Sequence, residues 1–254
     1  MRAMANKGQV EILDGPAQLA RRAAGIFIFA AKRAINERGT FNVALAGGST
    51  PKAAYELLAT DEYKGRVAWE NIRFYFGDER DVPPDDDRSN FRMANDALLR
   101  PLGIDPSQIF RWQTELGDSE TTARDYEMKL RGSGGFDLVL LGLGKDGHTA
   151  SLFPGSEALH EGDRWAVSTS IPATGENRFT ITLPAINSAR LVVFLVSGER
   201  KSEIVEQIFA DDGPNELPAA MVDPGQNRLI WLLDAAAASR LSVPADLHLP
   251  PHAP

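Results

Sequence analysis

Five short, almost continuous apolar runs, set between segments of helical periodicity, constrain this chain more than any other feature. The runs are Phe41 to Ala46, Ile72 to Phe76, Phe136 to Leu141, Leu191 to Val196 and Arg228 to Leu233, all rich in β-branched, aromatic and leucine residues. A strand buried on both faces reads this way, whereas a strand with one wet face alternates polar and apolar side chains. Helical patterns occupy Pro16 to Arg38, Pro51 to Ala59, Ser89 to Leu99, Glu120 to Leu130 and Glu199 to Phe209. In the first of these, Ala20, Ala24, Ile28, Ala31 and Ile35 fall on one face and Gly39 supplies a stop. Strand and helix therefore alternate, which predicts an α/β fold with a doubly wound, mostly parallel sheet and helices on both faces. Phe179 to Leu183 reads as an extra, shorter strand.

With 254 residues, 43% of them hydrophobic, the chain can bury one sizeable core, and a single domain over 1–254 is expected. Breaks at Val82 to Pro84, Gly132 to Gly135 and Asp211 to Pro218 read as loops, because each joins elements that need partners to bury their faces. The stretches 1–8 and 244–254 read as loosely held tails. Thirty-five acidic against 27 basic side chains leave a net charge of −8, which argues against nucleic acid or an anionic membrane as partner. An anionic ligand would need a locally basic pocket. Cysteine is absent, which excludes disulfides and thiolate metal sites. Met1 to Gly8 lacks the apolar stretch of a signal peptide, and Gly25 to Ala31 is too short to span a bilayer, so a cytoplasmic protein is expected.

In doubly wound sheets ligands gather beyond the carboxyl ends of the strands, and three such positions stand out. After the first run comes Gly47-Gly48-Ser49-Thr50-Pro51. Two glycines allow a tight path, Pro51 suits a first helical turn, and exposed amides there would attract a phosphate or carboxylate, with the Ser49 and Thr50 hydroxyls adding donors. An ordinary turn with Ser49 or Thr50 capping the helix is the structural alternative. After the second run stands Gly77-Asp78-Glu79-Arg80-Asp81, either a cluster that orients substrate or a solvated loop of weak ion pairs. The third segment runs from Leu141 to Gly155 and contains His148, two residues after Asp146. Of the four histidines, His148 alone follows a buried strand through a glycine-rich bend, where it is placed to act as a base held by a carboxylate. Helix capping by Asp146 or Thr149 is the alternative.

Gly142, Gly144 and Gly147 also match the G-x-G-x-x-G spacing, so a dinucleotide-binding oxidoreductase has to be weighed. Pro154-Gly155 cuts the following helix short, and no strand ending in an acidic residue arrives about 20 residues later to take a ribose hydroxyl. No G-x-S-x-G elbow and no H-E-x-x-H motif occur. A hydrolase without cofactor or metal is what remains.

Taken together, Ala44 to Pro51, Gly77 to Arg80 with Asp87, Ser89 and Asn90, Gly142 to Pro154, Arg178-Phe179-Thr180 and Ser197 to Lys201 resemble the 6-phosphogluconolactonase family. The resemblance runs from about Ala17 to Leu233, with several motifs in the right order. It implies a Rossmann-like sheet, no metal and no cofactor, and hydrolysis of 6-phospho-D-glucono-1,5-lactone to 6-phosphogluconate in the pentose phosphate pathway. It further implies that Gly47, Gly48, Ser49, Thr50, Arg178 and Lys201 hold the phosphate and that His148 is the general base. Asp146 or a backbone carbonyl would orient the imidazole, Arg80 or backbone N–H groups would steady the oxyanion, and Asp78 would hold substrate hydroxyls or Arg80. The implied partner is the small sugar-phosphate lactone, bound by a monomer, with a dimer as the alternative. A related class, the amino-sugar 6-phosphate deaminases, carries a glutamate five residues after the histidine, where this chain has Phe153, and lacks an arginine equivalent to Arg80. A sensor that binds the sugar phosphate without turnover is a third reading.

Overall fold

A computed structural model describes residues 7–210, 216–225 and 228–241. The strands are β1 (Gln9–Leu13), β2 (Phe41–Leu45), β3 (Ile72–Phe76), β4 (Asp78–Arg80), β5 (Ile109–Phe110), β6 (Leu138–Leu141), β7 (Ala166–Ser170), β8 (Asn177–Ile181), β9 (Val192–Val196) and β10 (Leu229–Asp234). The α-helices are α1 (Pro16–Arg38), α2 (Ser49–Leu58), α3 (Asp61–Lys64), α4 (Asn90–Ala94), α5 (Ser119–Arg131), α6 (Leu183–Asn187) and α7 (Ser202–Phe209). A π-helical turn over Asn95–Leu99 extends α4 to the end of the helical pattern read there.

Seven strands form one sheet in the order β1-β10-β9-β6-β2-β3-β5, and every neighbouring pair is parallel. Strands β2, β6 and β9 are buried along their whole length, which is why they read as unbroken apolar runs. From β2 the chain steps outward to β3 and β5, then returns to β6 on the other side of β2. The order therefore reverses between β2 and β6, where Val43 pairs Leu138 and Ala44 pairs Val139. At such a switch point the two following loops leave in opposite directions and open a crevice. Helices α1 and α2 pack together against β2, β9 and β10, while α5 packs over β7 and β8. Stacking of Phe194 on Trp231, 3.8 Å between ring centroids, locks β9 to β10 within the core.

A second, three-stranded antiparallel sheet in the order β4-β8-β7 was not expected from the apolar pattern, although Phe179 to Leu183 overlaps β8. Gly77 is the joint between the two sheets. Its N–H donates to Leu45 O at 2.9 Å, extending the parallel ladder, and its carbonyl accepts from Ile181 N at 2.8 Å in the antiparallel one. The charged loop read at Gly77 to Asp81 is thus a strand. Edge strand β1 was missed as well, being short and mixed in composition, as was the two-residue β5.

Residues 1–6 and 244–254 of the expected tails, and 211–215 of one expected loop, lie outside the described residues. Lys7 is described, and its Nζ donates to Ala210 O at 2.9 Å. Among the described residues no helix is long and apolar enough to cross a membrane, and no group of three or more His, Asp or Glu side chains is arranged to hold a metal ion.

Candidate active site

The crevice at the switch point contains a cavity of about 210 Å³. From the end of β2 come Ala46, Gly47 and Gly48; from β4, Asp78 and Arg80; and from the loop after β6, Gly142, Leu143, Gly144, His148 and Ala150. The glycine turn and the histidine loop, more than ninety positions apart in the chain, therefore face one space.

The turn after β2 is shaped from beneath. Tyr55 on α2 is fully buried, and its hydroxyl accepts from Ala46 N at 2.9 Å while donating to Ala46 O at 3.0 Å. One phenol thus replaces the strand neighbour that Ala46 loses as the sheet splays open. Gly48 precedes the helix with φ 100°, a conformation that suits glycine, and no side chain caps the helix start. The capping alternative for Ser49 and Thr50 is not what the fold adopts, since both lie inside the first turn of α2 and leave its amides free. Neither hydroxyl borders the cavity. Gly47 is demanded by packing, because a Cβ there would run into the Asn90 carboxamide.

No helix follows the Gly142, Gly144 and Gly147 spacing, which removes the dinucleotide reading along with helix capping by Asp146 or Thr149. The loop instead folds back on itself. Gly144 N donates to His148 O at 2.8 Å, and Thr149 Oγ1 donates to Gly142 O at 2.9 Å. Within this bend His148 Nδ1 lies 2.5 Å from Asp146 Oδ1, which also accepts from the His148 amide at 3.2 Å. Burial pushes the Asp146 carboxyl up, but the charge and hydrogen bonds of His148 outweigh it and hold the group below the ordinary aspartate range. A Cβ at Gly144 would collide with both partners, so glycine there is a condition of the pair. Phe153 is buried and packs its ring 4.8 Å from the imidazole, at the position where the deaminase pattern has a glutamate. Ala150, the only described non-glycine residue with positive φ, at 48°, brings the chain back along the cavity wall.

The β4 residues are held by a polar core that the sequence reading did not single out. Buried Glu79 accepts from Arg80 N, Asn90 N, Phe91 N and Ser89 Oγ at 2.7–3.0 Å, tying β4 to the start of α4. Burial raises its carboxyl above the usual range, and the three backbone donors offset this only in part. Asp78 accepts from Ser151 Oγ at 2.8 Å and Asn90 Nδ2 at 3.0 Å, rather than holding Arg80, whose Nη1 donates to Arg88 O. Arg80 sits directly opposite Arg178 in the antiparallel pair, so both side chains share the face that looks toward the cavity.

Arg178 and Lys201 approach without lining the cavity. The Arg178 guanidinium grips the Glu176 carboxylate at 2.8 and 3.1 Å. Lys201 Nζ donates to Leu143 O at 2.5 Å, alongside the histidine loop. Partial burial and the neighbouring charge of Lys145 lower its pKa, against the pull of Asp146. Its turn is anchored by buried Asp234, which accepts from Ser197 Oγ at 2.5 Å and Gly198 N at 3.0 Å. Tyr55, Glu79, Asn90, Ser151 and Asp234 were all missed as site-shaping residues. Glu79, Asn90 and Ser151 fall within motifs already noted, but Tyr55 and Asp234, which support strand ends from a distance, leave no local signal.

Parallel strands in this order, with a ligand-sized crevice at their switch point, define an α/β protein of the Rossmann-like class. The chain belongs to the family described as glucosamine-6-phosphate isomerases/6-phosphogluconolactonase, whose model matches residues 14–231. It is 43% identical over 242 residues to a 6-phosphogluconolactonase of Synechocystis sp., covering 92% of this chain and 98% of that one. It is 39% identical over 219 residues to the 6-phosphogluconolactonase of Homo sapiens, with 83% and 84% covered. The solved 6-phosphogluconolactonase of Trypanosoma brucei superposes with a TM-score of 0.84 at 29% identity, over 94% of this chain and all of the other.

Proposed function

We propose that this chain hydrolyses 6-phospho-D-glucono-1,5-lactone to 6-phospho-D-gluconate, the lactonase step of the pentose phosphate pathway. The observation that carries the reading is the shared cavity: His148, paired with Asp146, and the Gly47–Gly48 turn border the same space. The names of the curated relatives support the same substrate.

With its Nδ1 hydrogen given to Asp146, His148 presents Nε2 as an acceptor. Water attacks the lactone carbonyl carbon as its proton passes to Nε2. The tetrahedral intermediate then collapses, the bond from that carbon to the ring oxygen breaks, and the proton is returned to the departing oxygen. Arg80, which lines the cavity, or a backbone N–H beside it that the phosphate leaves free, is the donor for the transient oxyanion. The phosphate end is held by the start of α2, from Gly47 to Thr50, with Arg178 and Lys201 supplying charge. A lactone is already a reactive ester, so an anchor at one end and a base at the other suffice without a covalent nucleophile.

Two assays test this: acid release from fresh 6-phosphogluconolactone, corrected for spontaneous opening, and ammonia release from glucosamine 6-phosphate. The first is expected to be fast and the second absent, because the apolar Phe153 ring offers no carboxylate for ring opening. Ammonia release without lactone turnover would overturn the proposal, and binding without either activity would favour a sensor.

A further inference from the structure

We propose that Glu176 competes with the substrate's phosphate for the Arg178 guanidinium and must be displaced from it when substrate enters, which makes it an affinity-setting residue of that site. The inference rests on the lactonase reading above. Its starting point is a concentration of positive charge in a chain whose net charge is −8. Arg80 and Arg178 stand opposite each other on neighbouring strands, a like-charge pairing that is unfavourable unless an anion lies between or beside them.

Glu176 supplies that anion. It precedes β8 by one residue and lies two before Arg178, so both side chains leave the same face of the strand. Its carboxylate takes both terminal nitrogens of Arg178, at 2.8 and 3.1 Å, and a third contact comes from Arg88 Nη1 at 3.4 Å. The hydrogen bond from Arg178, helped by the charges of Arg178, Arg88 and Arg80, holds the Glu176 carboxyl below its ordinary range. This two-pronged contact has the geometry of an arginine–phosphate contact.

The two partners differ in what they can do next. The Arg178 side chain is only 12% exposed, whereas Glu176 is 40% exposed and can turn into water. A partly buried guanidinium kept ready for a ligand needs a counter-charge, and an exposed carboxylate provides one that can leave. An incoming phosphate, with more charge and three acceptor oxygens, takes over the contact.

The test is Glu176→Gln, read by calorimetric binding of 6-phosphogluconate and by KM and kcat for the lactone. Binding is expected to tighten and KM to fall by about two- to tenfold, with kcat changed little, the scale of one partly exposed ion pair. Asp86→Asn, which removes another carboxylate paired with Arg88, is the control for a general charge effect and is expected to leave affinity nearly unchanged. In an Arg178→Met background, Glu176→Gln is expected to lose its effect. Unchanged or weaker affinity in Glu176→Gln would overturn the inference, as would equal tightening in Asp86→Asn, while leaving the lactonase reading intact. Absence of lactone turnover in the unaltered chain would remove both.

Discussion

The two sheets contribute to one cavity in different currencies. Strands β2 and β6 of the parallel sheet end in glycine-rich loops that offer backbone amides and an imidazole, all positioned by tight local geometry. The antiparallel sheet offers Asp78 and Arg80 from β4, with Arg178 of β8 opposite Arg80, positioned by an ion pair to Glu176 and by buried Glu79. The division is one of means: backbone loops fix direction, and long side chains supply charge. In the proposed reaction both ends of the substrate draw on both, since the Gly47–Gly48 amides share the phosphate with Arg178 and Arg80 steadies the oxyanion beside His148.

The largest effect is expected on the parallel-sheet side. His148→Ala should lower kcat by about 10²- to 10⁴-fold with KM nearly unchanged, the usual scale for a general base. Near-normal turnover in that variant, measured by acid release, would remove the base from that side of the comparison. Arg178→Ala, on the antiparallel side, should raise KM about tenfold with a smaller change in kcat, as loss of a ground-state anchor does. A fall in kcat alone would place Arg178 with the chemistry instead.

The smallest effect concerns Lys201, which belongs to neither sheet's cluster. Burial and Lys145 lower its pKa, so its positive charge is lost at a lower pH than that of an ordinary lysine. Affinity for 6-phosphogluconate should decline as pH rises toward the usual lysine range, and Lys201→Arg, which stays charged, should move that decline upward. Identical pH profiles for the two proteins would remove Lys201 from phosphate binding.

The same contrast explains what could be read from the sequence. Strands such as β2 and β9 are buried on both faces, so their apolar runs announce them. Strand β4 is Asp-Glu-Arg, and β7 is mostly serine and threonine, so the antiparallel sheet carries no apolar signal and passes for a loop. Loop residues tied to their own neighbours were legible: Asp146 and His148 lie two positions apart and pair directly. Supports that act across the fold were not. Tyr55 on α2 looks like one more apolar helix position, and Asp234 like the end of a strand, until the backbone brings them beneath the turns they hold.

The central claim is that an imidazole and a phosphate anchor grip opposite ends of one substrate. A structure of the protein with 6-phosphogluconate bound tests it most directly. The account predicts the C1 carboxylate within hydrogen-bonding distance of His148 Nε2 and the phosphate on the Gly47–Gly48 amides, with Arg178 released from Glu176. A phosphate lying against His148, or a ligand seated outside this cavity, would contradict it.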